Sequence, residues 1–268
     1  MRKRDIPLMM LAIVCFLAGA YVLMKPTVNQ LQQEKEASVA VSDFFRDHPN
    51  ATAKEEDRGT EPAKEPPEDL SEGPTEGPSE LHTTETPYAD LLEAMKAYNT
   101  EIFRNGQAGL ADPWAYQAEV LRLSDYGLEN ETVGVLTIPK MDLQEPVYLG
   151  ATKAHMDHGI AQLSISSMPI GGENTNCVLA GHRGWNGALF FRHIELLEIG
   201  DEVTLTNLWE TMTYRVVEIK IIQPNQAEQI LIQPGRDLLT LITCHPYGSG
   251  GRYRYVVYCE RVSEEGGK

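Results

Sequence analysis

Leu238-Leu239-Thr240-Leu241-Ile242-Thr243-Cys244, followed at once by His245-Pro246-Tyr247-Gly248, decides how this chain is read. The run is apolar and β-branched, so it predicts a strand, and Pro and Gly stop it. A strand that ends on Cys244 presents a thiol where a sheet gives way to a loop. That is a fit place for a nucleophile and a poor place for a core thiol. Such a thiol needs a base and an oxyanion partner from elsewhere in the chain.

Working outward, the same texture recurs. Residues 133–138, 145–149, 176–181, 202–207, 212–222, 238–243 and 253–259 are short runs rich in Val, Ile, Thr and Tyr, separated by Gly, Pro and Asn turns. Only brief helical pieces interrupt them, such as 189–197. The pattern predicts a mainly β fold, a closed or nearly closed antiparallel-rich barrel rather than a doubly wound sheet. Upstream, 88–103 carries Leu91, Leu92, Met95, Tyr98 and Ile102 at helical spacing, with Thr86-Pro87 able to start the helix. A Gly-broken loop and Asp112-Pro113-Trp114 follow.

The N-terminus reads Met1-Arg2-Lys3-Arg4-Asp5 and then runs apolar from Ile6 to Met24. A helix needs about 20 such residues to cross a bilayer, and the basic cluster should stay cytoplasmic. We expect an uncleaved, single-pass anchor over 6–24 with the rest of the chain outside. A cleaved signal peptide ending near Ala18-Gly19-Ala20 is the alternative. Residues 25–87 are expected to form a stalk, weakly helical over 27–50 and unable to fold over 51–87. That last tract holds eleven Asp or Glu against three Lys or Arg. The catalytic barrel is then expected over 132–263, after a helix-and-lid segment over 88–131 and before a tail, 264–268.

A net charge of -16 argues against nucleic acid as a partner, since phosphate binding needs a basic face. The four cysteines, Cys15, Cys177, Cys244 and Cys259, form no CxxC pair, which points away from zinc. Cys177 and Cys259 lie in strand-like runs and read as buried apolar side chains, with pairing between them left open. His155 and His158 form a lone HxxH, read as a solvated loop. No cofactor is called for.

An imidazole near Cys244 would favour its thiolate. His245 adjoins Cys244, but neighbours in an extended segment point to opposite sides. That leaves His182, at the end of the apolar run in Val178-Leu179-Ala180-Gly181-His182-Arg183-Gly184. Read alone, it is as well a structural histidine as a catalytic one. Arg252 and Arg254 enter the last strand two apart and should share a face; both also suit the bland role of edge charges.

Taken together, these segments resemble the sortase family of cysteine transpeptidases. Thr240-Leu241-Ile242-Thr243-Cys244 fits its TLxTC motif, with Ala180-Gly181-His182-Arg183-Gly184 before it and Arg254-Tyr255-Val256-Val257 after it. The likeness is greatest to the pilus-type class C. Asp112-Pro113-Trp114 matches the lid of that class, in which Asp112 would pair with the catalytic arginine and Trp114 would lie over the cysteine. The resemblance implies an eight-stranded barrel and Cys244, His182 and Arg254 as the catalytic set, with Arg252 as fallback. It implies LPxTG-bearing surface or pilin proteins as substrates, and a pilin lysine or a cell-wall precursor as the acceptor amine. Two departures stand out: His245 replaces the usual Thr after the cysteine, and class C commonly carries a second hydrophobic segment after the barrel. Housekeeping anchoring to the wall is the alternative of the same chemistry. A membrane-tethered barrel that only binds peptides is the alternative of another class.

Overall fold

The computed structural model describes residues 5–49, 86–112, 115 and 118–262, with backbone alone for 5–9, 11 and 12. Residues 1–4 of the expected cytoplasmic N-terminus 1–5, the tract 50–85, the lid residues Pro113 and Trp114 and the tail 264–268 lie outside the described residues, as do several side chains of the expected span.

Eight strands among the described residues close into a barrel in the order β1-β2-β3-β4-β7-β8-β6-β5. They are β1 (Thr132–Ile138), β2 (Leu143–Leu149), β3 (Ile160–Gln162), β4 (Thr175–Ala180), β5 (Glu202–Asn207), β6 (Thr211–Ile222), β7 (Asp237–His245) and β8 (Tyr253–Arg261). Inward-facing residues fill it: in β6, Met212, Tyr214 and Val216 alternate along one face and are buried. The seven runs read from sequence are seven of these strands. β3 escapes that reading because three residues are too few to show a period. Most neighbours are antiparallel, but β2–β3 and β4–β7 are parallel. Cys177 and Cys259 are buried free thiols.

Among the described residues three α-helices accompany the barrel. α1 (Asp5–Asp47) is one continuous helix through the stretch expected to begin a stalk. Its later part has a reason to be ordered: Ala37, Val41 and Phe44 recur at helical spacing and are buried against β1 and β2. Its earlier part is apolar and bare, with Phe16 75% and Leu23 80% exposed. Among the described residues no helix is long and apolar enough to cross a membrane. α2 (Ala89–Arg104) buries Leu91, Met95, Asn99 and Ile102. Asn99 Oδ1 accepts from the Met168 N–H at 2.7 Å, and the Tyr98 hydroxyl donates to the Ser164 carbonyl, so α2 is tied to the segment after β3. α3 (Lys153–His158) carries both histidines of the HxxH. They are helical rather than looped because Thr152 caps the helix, its side chain accepting from the His155 N–H.

Candidate active site

β7 and β8 bring two of the expected groups together: Cys244 and Arg254 are Cα partners in their antiparallel register. The third arrives by parallel pairing. β4 runs beside β7 in the same direction, with Ala180 opposite Ile242. The Gly181 N–H donates to the Ile242 carbonyl at 3.2 Å, and Thr243 Oγ1 donates to the Gly181 carbonyl at 2.7 Å. The pairing therefore continues to the strand ends, where His182 follows on one side and Cys244 on the other. Two strands pointing the same way deliver both side chains to one end of the barrel.

Arg254 is buried and multiply held. Its Nε donates to Asp112 Oδ1 at 2.6 Å and its Nη2 to Asp112 Oδ2 at 2.7 Å, a bidentate pair. Its Nη1 donates to the Gly251 and Tyr253 carbonyls at 2.6 and 3.0 Å. Arg252 does not share this face. β8 begins at Tyr253, so Arg252 lies in the bend before it and is exposed. Gly251, at φ 77°, lies against Cys244 and Arg254. A Cβ there would fall 3.0 Å from both Cys244 Sγ and Arg254 Nη1.

Burial raises the Cys244 thiol above its usual pKa; Arg254 and Arg183 pull it down, and Asp112 pushes it up. Burial likewise lowers the His182 imidazole, opposed by Asp157, whose Oδ1 is 4.0 Å from Nε2, and reinforced by Lys153. One group moves up and the other down, so both favour their neutral forms at neutral pH. This differs from the imidazolium–thiolate pair that thiol chemistry alone leads one to expect. The reason is desolvation, which disfavours both charges at once. Chemically, the arrangement offers a nucleophile, a proton carrier and a guanidinium occupied by a carboxylate. Among the described residues no cluster of His, Cys, Asp and Glu is placed to hold a metal ion. His155 and His158 instead set their Nδ1 atoms 2.8 Å and 2.9 Å from the Gly150 and Ala154 carbonyls.

The Sortase domain family model matches residues 136–262. Among solved structures, sortase C1 of the Group B Streptococcus pilus island 1 is 30% identical with a TM-score of 0.60, covering 66% of this chain and 89% of that one. Sortase C-1 from Actinomyces oris is 31% identical with a TM-score of 0.58, covering 66% and 99%. This chain belongs to the sortase family. The curated sortase D of Bacillus subtilis (strain 168) is 32% identical over 132 residues, 48% of this chain and 64% of that protein. The chain thus spans less than two thirds of that relative.

Around the expected set, this sortase places groups that sequence reasoning passed over. Arg183 is buried; its Nη1 donates to His245 Nδ1 at 2.8 Å and reaches the Cys244 carbonyl at 3.4 Å, while its Nη2 meets Glu195 Oε2 at 2.5 Å. His245 also approaches Glu195, at 3.3 Å, and so belongs to a polar cluster with Arg183 beside Cys244. Trp185 stacks over His182, ring centroids 5.0 Å apart at 23°. The Asn186-Gly187 dipeptide was the available clue to that turn. Nothing in the local sequence announced Asp157, which meets His182 from a distant segment, or Gly251, which the fold of the loop between β7 and β8 sets against Cys244 and Arg254.

Proposed function

We propose that this chain is a membrane-anchored cysteine transpeptidase acting on LPxTG-like sorting signals. The observation that carries the reading is the convergence of Cys244, Arg254 and His182 at one end of the barrel. Cys244 Sγ attacks the Thr carbonyl carbon while His182 accepts the thiol proton. Collapse of the tetrahedral intermediate breaks the Thr–Gly C–N bond, and the leaving amine takes that proton. An incoming amine then attacks the thioester, His182 takes its proton, and the thiol returns. Arg254 steadies the oxyanion or the substrate backbone.

Asp112 occupies Arg254 in the resting form, so substrate has to displace it, as a lid would require. The acceptor we favour is a pilin lysine, on the likeness to pilus sortases C. The second reading, in which a cell-wall precursor supplies the amine, rests on the resemblance to the sortase family at large, to which the curated relatives, sortases D and A, belong. The anchor is residues 6–24, supported by the apolar run and by the bare side chains of α1 there, with the barrel on the outer side.

The test uses the full chain in detergent, because Val41 and Phe44 of α1 are part of the core. Mass spectrometry should find an LPxTG peptide cleaved and joined to an added amine, pilin lysine and wall-precursor amine being offered in competition. Cys244→Ala should abolish both steps; cleavage at the wild-type rate by that variant would remove Cys244 as nucleophile. If the untreated chain forms no product and iodoacetamide leaves its peptide binding intact, the non-enzymatic barrel stands instead.

A further inference from the structure

The turn after His182 is seated on α1. Trp185 and Ala188 exchange backbone hydrogen bonds at 3.0 and 2.9 Å, closing a two-residue turn over Asn186 and Gly187. Both central residues have positive φ, 49° and 99°, as the tight Asn-Gly hairpin turn demands. The turn presses on the helix. A Cβ at Gly187 would lie 2.6 Å from the backbone nitrogen of Gln30 and 2.9 Å from the carbonyl carbon of Asn29. Asn29 Nδ2 also donates to Asn186 Oδ1 at 3.0 Å. The residue that opens the same turn, Trp185, lies nearly parallel over the His182 ring. Trp185 is 47% exposed, whereas His182 beneath it is 8% exposed.

The geometry points to Trp185 as a positioning residue for His182, set in place by α1 through Asn29 and Gln30. This rests on reading His182 as the proton carrier. The indole keeps water from one face of the imidazole and fixes the ring plane, which decides where the proton is delivered. α3 faces the same histidine with Asp157 and Lys153; the neighbouring guanidinium of Arg183 is directed to Glu195 and His245. Trp185 therefore supplies the apolar wall in a ring of charged neighbours. α1 becomes more than a tether, because its register against the turn sets the wall.

The experiment follows His182 in the full chain in detergent by NMR of ¹³Cε1-labelled histidine, assigned with His182→Gln, alongside the pH profile of peptide transfer. Trp185→Ala should raise the His182 titration midpoint, move the matching limb of the kcat profile the same way, and lower kcat more than it raises KM. The loss should be roughly tenfold, a part of the about 10²–10⁴-fold that a positioned acid–base group supplies. Trp185→Phe should recover most of it. Gly187→Ala, which drives a methyl into α1, should raise the midpoint as Trp185→Ala does, with the indole still present. Asn29→Leu, which loses the hydrogen bond without straining the turn, should move it in the same direction should the glycine variant fail to fold. An unchanged midpoint and profile in Trp185→Ala overturns the positioning role; an unchanged midpoint in a folded Gly187→Ala, or in Asn29→Leu if that variant does not fold, overturns the part given to α1. If His182→Gln itself still transfers at the wild-type rate, the proton-carrier reading has failed instead.

Discussion

Asp112 gives both carboxylate oxygens to Arg254, and its charge also holds the Cys244 thiol up. Removing that charge works in one direction only: the thiolate becomes easier to form. Asp112→Ala should therefore move the onset of iodoacetamide labelling of Cys244 to lower pH. At a fixed pH where the thiol remains mostly protonated, a thiol pKa lower by one gives about tenfold more thiolate and labelling faster to match. An unmoved onset would argue that the carboxylate is only structural. Gly251 makes a second residue-level prediction. Gly251→Ala forces a side chain into the left-handed region, a cost of about 1–2 kcal/mol, and drives a methyl against Cys244 Sγ. A displacement near 1 Å is enough to cost about 10²-fold in turnover; a melting curve beside the rate separates the two effects. These positions also mark how far the sequence could be read. Cys244 and His182 each close an apolar run, so their placement was visible in one dimension. Arg254 and Arg252 were not separable until the start of β8 was known. Gly251 and Trp185 touch near neighbours in sequence, Cys244 and Arg254 for the one and His182 for the other, but it is the folding of the connecting loops that brings them into contact.

At the scale of elements, the seam between α1 and β2 is the least predictable feature. Glu145 of β2 sits beneath the helix, with Oε2 lacking a hydrogen-bond partner among the described residues. Burial holds its pKa at about 8, above its usual 4.5, and the charge of Glu34 on α1 adds to the rise. The folded state thus keeps a proton that the unfolded chain sheds between those values. Stability is fully present below about pH 4.5 and declines as pH rises through about 8. Glu145→Gln should flatten that decline and stabilise the chain at pH 8, as read by denaturant midpoints across pH. A decline of the same steepness in the variant would place its origin elsewhere. Strands were easier to read than this seam, because alternation and β-branching are local. The two parallel pairings were not readable, since they depend on which distant runs meet, and one of them, β4 with β7, is what brings His182 and Cys244 to the same end of the barrel.

For the whole molecule, the joint between helix and barrel is a packing joint. Phe44 is 1% exposed, in one core with Val135, Leu136 and Leu205 of the barrel. Phe44→Ala should cost about 3–5 kcal/mol, the range for emptying a buried aromatic site, and chemical denaturation should detect it. A loss below about 1 kcal/mol would mean that the helix rests on the barrel without sharing its core. The closure of the barrel has a consequence of a different kind. With β5 hydrogen-bonded to β1, every described strand has a strand on either side, so no strand presents a whole free edge. Backbone is left single-sided only where one strand outruns its neighbour, as β6 does when it runs past its pairing with β5 and on to Ile222 beside β8 alone. An extended peptide could add main-chain bonds there and not along a full edge, which leaves most of the discrimination between guests to side chains and loops.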